Sequence, residues 1–145
     1  MSNRQKAAGS RPLLVMKFGG TSVGDMARIK ASALWVKHFY DSGYGVVVVV
    51  SAMAGETNRL VQLVTNVDPQ HQQLHVTAEY DAVVAAGENI SAGLMALMLN
   101  QLGVTARSWQ GWQLPIKTDQ HHGQARIIDI ETEDLQQSID SGVVA

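Results

Sequence analysis

The sequence predicts an α/β fold in which a mainly parallel sheet is sandwiched between helices, a three-layer αβα arrangement. Three observations lead to this prediction. Short apolar runs alternate with stretches that show helical spacing. The run 46–50 consists of valine alone, and β-branched residues pack well in a sheet that is covered on both faces. Two apolar runs end in loops that contain glycine and hydroxyl residues, as expected where a strand leads into a helix.

The first elements are a strand, a glycine loop and a helix. Leu13–Phe18 is a short apolar run closed by Gly19 and Gly20, which indicates a strand buried on both faces. A helix follows, which Asp25 is positioned to cap and Gly43 to end. Its apolar face recurs at spacings of three and four and contains Met26, Ile29, Ala33, Val36 and Tyr40. Gly45–Val50 is then expected to lie parallel to the first strand.

A second loop and helix repeat this arrangement. The stretch 51–57 is small and polar, and helical spacing resumes over 58–67. The stretch 71–102 is mostly helical, with a break near Gly87 that predicts two helices. Their apolar face is expected to run through Ile90, Leu94, Leu97 and Met98.

The remainder alternates short β-like pieces with turns. Pieces at 104–109, 114–117 and 125–130 are expected to form a flap or extra strands. The segment 131–141 predicts a helix with Leu135 and Ile139 on its inner face, and 143–145 resembles the start of a buried strand. Because a domain rarely stops within a core strand, we expect it to continue beyond residue 145. Residues 1–12 are expected to be a flexible lead.

Composition narrows the classes of function. The chain has 145 residues, of which 46% are hydrophobic, so it can form one core of ordinary size. Its formal net charge of -2 disfavours nucleic acids and anionic membranes as partners. The absence of Cys excludes thiol catalysis and Cys-ligated zinc. The longest aliphatic run, 46–50, is far shorter than the roughly 20 residues of a membrane-spanning helix. We therefore expect a cytoplasmic protein.

The chemistry is expected at the carboxyl ends of the parallel strands, where loops lead into helix N-termini. Lys17 is followed by Gly19, Gly20, Thr21 and Ser22. The glycines allow backbone amides to approach phosphate oxygens, and Lys17 is suited to neutralise charge on a transferring group. The order differs from a Walker loop, in which the lysine follows the glycines, and from G-x-G-x-x-G. A structural Gly-Gly turn with a solvated lysine is the alternative.

Two further segments are candidates for the same pocket. Ser51 and Thr57 flank the loop after the second strand, with a plain loop capped by Thr57 as the rival interpretation. Glu88 opens a helix, where it either complements the helix dipole or pairs with a cationic group such as an amino acid ammonium. The structural role is the simpler explanation in both cases.

The histidines and tryptophans of the C-terminal third are assigned no ligand. His121 and His122 are adjacent, so their side chains point apart, and we expect solvated loop residues and no metal site. Trp109 and Trp112 lack an accompanying basic patch and are expected to pack the local turn.

The run 15–23, Val-Met-Lys-Phe-Gly-Gly-Thr-Ser-Val, resembles the opening signature of aspartokinases, within the amino acid kinase superfamily. Three further segments are similar to that family in order and spacing: 49–58, Gly87-Glu88 followed by Ser91, and the run from Ala106 through Gly111 to Thr118. The resemblance covers residues 13–145 and identifies them as the N-terminal part of the catalytic domain.

This resemblance implies phosphoryl transfer from ATP, accompanied by Mg2+, to the side-chain carboxylate of L-aspartate. The product is 4-phospho-L-aspartate, the entry step to lysine, threonine and methionine. A homo-oligomer is expected. In the family, the adenine-binding region and the regulatory domains follow this segment, so the chain alone is expected to be inactive. The implied phosphate-binding residues are Lys17, Gly19, Gly20, Thr21, Ser22 and Ser51, with Thr57 and Glu88 holding aspartate.

Two other interpretations remain open. A different member of the superfamily, acting on N-acetylglutamate, glutamate, carbamate or UMP, is disfavoured by Thr21-Ser22 and by Thr57-Asn58. A non-catalytic module that binds an amino acid or phosphate would share the fold without the chemistry.

Overall fold

The computed structural model describes residues 11–67, 69 and 77–145. Strands and helices are interspersed along this part of the chain, as predicted for an α/β fold. Residues 1–10, most of the expected lead, and the first residues of the predicted helical stretch 71–102 lie outside the described part. The elements are β1 (Leu13–Phe18), α1 (Met26–Asp41), β2 (Gly45–Val50), α2 (Glu56–Val67), α3 (Ala78–Val84), α4 (Ala86–Gln101), β3 (Ile116–Thr118), β4 (Ile127–Ile130) and α5 (Glu133–Asp140).

The main sheet is parallel. β1 pairs with β2 in parallel register. On the other side of β2, the Ala145 amide donates to the Val46 carbonyl at 3.2 Å, and the Val48 amide donates to the Ala145 carbonyl at 2.6 Å. A parallel bridge between Ala106 and Val144 adds the segment 105–107. Four parallel segments therefore lie side by side in the order β1, β2, 143–145 and 105–107, which confirms the mainly parallel sheet.

The core lies between this sheet and the helices α1 and α4. Ile29, Val46 and Leu99 are buried there, and Met16 and Phe18 of β1 pack against them. Side chains alternate between the two faces of a strand, so the odd-numbered residues of β1 point the other way. Leu13 and Val15 are 55% and 59% exposed. The expectation that β1 is buried on both faces is therefore wrong within the described residues.

The opposite face is covered at β2 by α5, which completes the third layer. A Cβ added to Gly45 would lie 2.8 Å from Ile139 Cγ2, so α5 rests directly on the backbone of β2. Ile139 is 5% exposed, and Leu135 is partly buried. Both lie on the inner face of this helix, as predicted.

The ends of α1 confirm the sequence interpretation. Asp25 has an extended backbone, and its carboxylate accepts a hydrogen bond from the Arg28 amide at 2.8 Å. Gly43 follows the last turn with φ of 93°, a left-handed conformation that glycine adopts without strain. By contrast, α2 begins at Glu56, two residues before the start predicted at 58.

The predicted apolar face of α4 is wrong in part. Ile90 and Leu97 are 48% and 68% exposed. The buried positions are Gly87, Ser91, Met95 and Leu99, which recur every four residues and begin with two small side chains. Small residues allow close packing, whereas the sequence interpretation favoured the large aliphatic ones. The helical break lies at Ala85, close to the predicted position.

The stretch Ala78–Gln101, which contains α3 and α4, is long and apolar enough to cross a membrane by length and composition alone. This is weak evidence for a span, because the core helices of globular proteins pass the same test. In this fold Met95 and Leu99 of the stretch belong to the hydrophobic core.

The predicted flap is a short antiparallel hairpin of β3 and β4, with an irregularity between Lys117 and Thr118. Its strands are shorter than the predicted pieces 114–117 and 125–130. Within 104–109, the pairing to the main sheet is confined to 105–107. Polar and turn residues around these segments end the pairing early.

Candidate functional site

The carboxyl ends of β1 and β2 lie next to each other. Phe18 is paired with Val50 in the sheet, and the Ser51 amide donates to the Phe18 carbonyl at 3.2 Å. The loop that follows β1 (residues 19–25, the first loop) and the loop that follows β2 (residues 51–55, the second loop) therefore begin side by side. Both lead directly into helices, the geometry in which backbone amides face an incoming anion.

The first loop opens with a turn. The Ser22 amide donates to the Gly19 carbonyl at 2.8 Å. Within the described residues, the amides of Gly19, Gly20 and Thr21 donate no hydrogen bond, so these donors are available to a ligand. Unpaired amides grouped at a strand end form an anion-binding surface.

Lys17 brings a positive charge to this surface. It is the last residue but one of β1, and a Cβ added to Gly19 would lie 3.6 Å from Lys17 Nζ. The amine therefore lies close to the loop backbone. Among the described residues, no carboxylate forms an ion pair with Lys17, which leaves its charge for a ligand.

The two loops are in direct contact through glycine. A Cβ added to Gly20 would lie 2.8 Å from the Ala52 carbonyl oxygen, and one added to Gly87 would lie 2.9 Å from Ala52 Cβ. Ala52 is 4% exposed. It is packed between the first loop and the start of α4, so the second loop has little freedom to move. Both contacts require the absence of a side chain.

Glu88 joins α4 to the second loop. Its Oε1 accepts a hydrogen bond from the Ala52 amide at 3.1 Å. Its position in the first turn of α4 also suits the helix dipole. The bond across 36 residues of sequence was not foreseen, since the sequence alone does not reveal which loop meets this helix.

Ser51 and Thr57 lie at the two ends of the second loop. Ser51 is partly buried and Thr57 is exposed. Thr57 is the second residue of α2, so the interpretation of Thr57 as a helix cap is wrong. In the described part of the chain neither hydroxyl makes a hydrogen bond, and both remain available to a ligand.

A charged pair missed by sequence analysis lies beside Thr57. Arg59 donates from Nε and Nη2 to the two carboxylate oxygens of Glu56, at 2.9 and 2.7 Å. These bonds lower the pKa of the Glu56 carboxyl and raise the pKa of Arg59. The spacing of three residues on a helix was a usable signal.

The two C-terminal histidines pair with aspartates and not with either loop. His122 Nδ1 lies 2.9 Å from Asp81 Oδ2 on α3, and His121 pairs with Asp119. Hydrogen bonds from the His121 and Arg126 amides hold the pKa of Asp119 below its usual value. The described residues contain no group of three or more His, Asp or Glu side chains that could hold a metal ion.

The two C-terminal tryptophans, Trp109 and Trp112, lie in different environments. The Arg107 guanidinium lies 4.3 Å from the centre of the Trp109 ring. Trp112 is 73% exposed, so its predicted packing in the turn is wrong. Trp109 also borders a cavity of about 310 Å³ between β2, α4 and the segment 106–111, whose walls are mainly apolar. Glu88 stands at this cavity as well, so it links the cavity to the second loop.

Comparison with known proteins agrees with this architecture. A model of the amino acid kinase family matches residues 12–145. An aspartate kinase of Stutzerimonas stutzeri (strain A1501) is 46% identical over 132 residues, which make up 91% of this chain and 31% of that relative. The chain thus spans about a third of the length of the curated relatives that it matches.

Solved structures give the same result. The crystal structure of aspartate kinase from Synechocystis matches with a TM-score of 0.70 and 34% identity, over 92% of this chain and 21% of that one. E. coli aspartokinase III in complex with aspartate and ADP matches with a TM-score of 0.71 over 92% of this chain and 40% of that one. At 22% identity, the second match supports the fold alone.

Proposed function

This chain belongs to the amino acid kinase family, and we propose that it forms part of an aspartate kinase. The reaction transfers the γ-phosphoryl group of ATP to the side-chain carboxylate of L-aspartate and yields ADP and 4-phospho-L-aspartate, the entry step to lysine, threonine and methionine. Residues 13–145 would form the N-terminal part of the catalytic domain. The observation that carries the proposal is the pair of adjoining loops, where Lys17 and unpaired amides meet at the ends of β1 and β2.

The first loop is suited to the phosphate groups. Phosphoryl transfer depends on positioning and on neutralising negative charge, and it needs no protein nucleophile when the substrate carboxylate attacks. Lys17 supplies a positive charge without an intramolecular partner among the described residues. We assign it to the transferring group. The remaining phosphate-binding residues are Gly19, Gly20, Thr21, Ser22 and Ser51.

The second loop and the start of α4 are suited to the amino acid. We assign Thr57 and Glu88 to L-aspartate. A carboxylate has acceptor capacity beyond one hydrogen bond, so Glu88 is able to hold the second loop through Ala52 and still receive the substrate ammonium. The Thr57 hydroxyl, exposed in the first turn of α2, is a donor for a substrate carboxylate.

Magnesium would enter with the nucleotide. The described residues provide no cluster of acidic or histidine ligands for it, so we assign it no protein ligand in this segment. We also propose that the protein acts in the cytoplasm, where ATP and aspartate are available, and that it is a homo-oligomer. Exposed apolar side chains such as Trp35 and Leu97, 61% and 68% exposed, are compatible with subunit contacts.

Trapping of the acyl phosphate with hydroxylamine tests the proposal. The assay uses MgATP with L-aspartate, N-acetylglutamate, glutamate or carbamate. It is run on this chain alone and on the extended chain, meaning the chain joined to the coding sequence that follows it. We expect a hydroxamate from the extended chain with L-aspartate only, and little or none from the 145 residues alone.

Two outcomes would oppose this assignment. A product formed with another acid would leave the family assignment unchanged and contradict the assignment of L-aspartate as the substrate. Binding of L-aspartate by the folded extended chain without any trapped product would favour a non-catalytic amino-acid-binding module.

A further inference from the structure

Two side chains of α1 reach back to the first loop. Arg28 Nη1 donates to the Thr21 carbonyl at 2.7 Å, and Ser32 Oγ donates to the Ser22 carbonyl at 3.0 Å. A serine within a helix commonly bonds the carbonyl four residues earlier in its own helix. Ser32 instead bonds a residue ten positions earlier, outside the helix, although it is only 6% exposed. Its buried hydroxyl is therefore committed to the loop.

Arg28 is itself held in place. Its Nε lies 3.4 Å from Asp25 Oδ2, and the same Asp25 carboxylate caps α1 by accepting from the Arg28 amide. The guanidinium, on a side chain that is 58% exposed, thus lies at the start of the helix with Nη1 directed at the Thr21 carbonyl. Its contact with the loop is a hydrogen bond to backbone, which differs from the free charge of Lys17.

These bonds hold the turn that carries the unpaired loop amides. The Thr21 carbonyl and the Ser22 amide belong to one planar peptide group, so holding the carbonyl also holds the amide. That amide donates to the Gly19 carbonyl at 2.8 Å and closes the turn. Gly20 and Thr21 are the two central residues of this turn. Their amides lie outside the turn bond and donate to no described residue.

We infer that Arg28 and Ser32 are positioning residues for the anion-binding loop: by holding the carbonyls of Thr21 and Ser22, they fix the turn that presents the amides of Gly20 and Thr21 to a phosphate group. The inference rests on the proposed phosphoryl transfer. Neither residue touches the transferred group. Donors that are oriented before the ligand arrives bind it more tightly, since no reorganisation is required on binding.

The test is a titration of the ¹⁵N-labelled extended chain with inorganic tripolyphosphate, followed through backbone amide shifts. In the wild type, the amides of Gly20 and Thr21 should move on binding. Ser32→Ala and Arg28→Met should weaken binding by about three- to tenfold, the equivalent of one oriented hydrogen bond. Ser32→Thr and Arg28→Lys retain a donor and should restore most of the affinity.

Controls separate this role from a general loss of stability or charge. Ser91 is also buried, and its hydroxyl bonds within α4 to the Gly87 carbonyl, so Ser91→Ala measures the stability cost of losing a buried serine. Lys37→Met removes a positive charge at the far end of α1, where Lys37 pairs with Asp41. Neither control should change the tripolyphosphate affinity by more than about twofold.

The possible failures are distinct. If tripolyphosphate does not shift the amide signals of Gly20 and Thr21 in the wild type, the assignment of the phosphate site is wrong. The proposed function then loses the observation that supports it. If the wild type binds and Ser32→Ala and Arg28→Met bind equally well, the positioning role is wrong while the phosphate site stands. The positioning role is also wrong if the conservative variants bind no better than Ser32→Ala and Arg28→Met.

Discussion

Replacing glycine by alanine should have opposite effects on stability at two positions of α4, because only one of the two glycines contacts the second loop. A Cβ added to Gly93 meets nothing within 4 Å. Gly93→Ala should therefore stabilise the protein by about 0.5–1 kcal/mol, since alanine loses less backbone entropy in a helix. At Gly87 the added Cβ would lie 2.9 Å from Ala52 Cβ and 3.3 Å from Leu60 Cδ1. Such overpacking costs about 1–3 kcal/mol.

Ala52 has little room to yield at this contact. Its amide is bonded to Glu88, and its carbonyl lies against Gly20. The clash at Gly87 should therefore exceed the helical gain, and Gly87→Ala should lose about 1–2 kcal/mol of unfolding free energy. Urea unfolding of the three proteins, followed by circular dichroism, measures the difference between the two variants.

A double-mutant cycle identifies the cause. Ala52→Gly removes the atom that the new Cβ meets, so the combination with Gly87→Ala should be less destabilised than the sum of the two changes, by about 1 kcal/mol. If Gly87→Ala proves as stable as Gly93→Ala, the close contact between α4 and the second loop does not exist in solution. Additive effects in the cycle would locate the strain elsewhere.

Three further predictions concern the core, a titrating pair and a helix cap. Leu99→Ala should lower the free energy of unfolding by about 2–5 kcal/mol, because Leu99 is 1% exposed. Leu97→Ala, at a position that is 68% exposed, should change this free energy by no more than about 0.5 kcal/mol, and urea unfolding measures both. The pKa of Glu56 is lowered by its hydrogen bonds from Arg59, so their stabilisation is present above the unfolded pKa near 4.5 and is lost as the pH falls through the folded pKa. Glu56→Gln should therefore melt below the wild type at about pH 7, and the gap should shrink as the pH falls below 4.5; a gap independent of pH would contradict the assignment. Asp25→Ala should cost about 1 kcal/mol through the lost cap of α1, and Asp25→Asn, which keeps an acceptor, should recover most of it in the same unfolding assay.

The features predicted correctly are those that depend on a few neighbouring residues in the sequence. The cap at Asp25 and the left-handed Gly43 follow from rules that involve a few neighbouring residues. The parallel pairing of β1 and β2 followed from two apolar runs joined by a helix. These features need no knowledge of distant contacts, and they placed the two loops correctly at neighbouring strand ends.

The errors arose where distant segments decide the outcome. Helix α4 buries Gly87 because Ala52 and Leu60 approach it closely, and neither partner is visible from the spacing of large side chains. The bond from the Ala52 amide to Glu88 spans 36 residues. The role of Ser32 was missed for a related reason. A serine on the inner face of α1 resembles a small core residue in the sequence, and its bond to the Ser22 carbonyl depends on where the first loop lies.

The central claim is that Lys17 and the two adjoining loops carry phosphoryl transfer to L-aspartate. The most direct test compares Lys17→Met with Lys37→Met in the extended chain, with hydroxamate formation from L-aspartate and MgATP as the measurement. We expect Lys37→Met to retain the wild-type rate and Lys17→Met to lose at least about 100-fold, the usual scale for removing one electrostatic contact to a transition state. A folded Lys17→Met protein that forms the hydroxamate at the rate of the control would contradict the account.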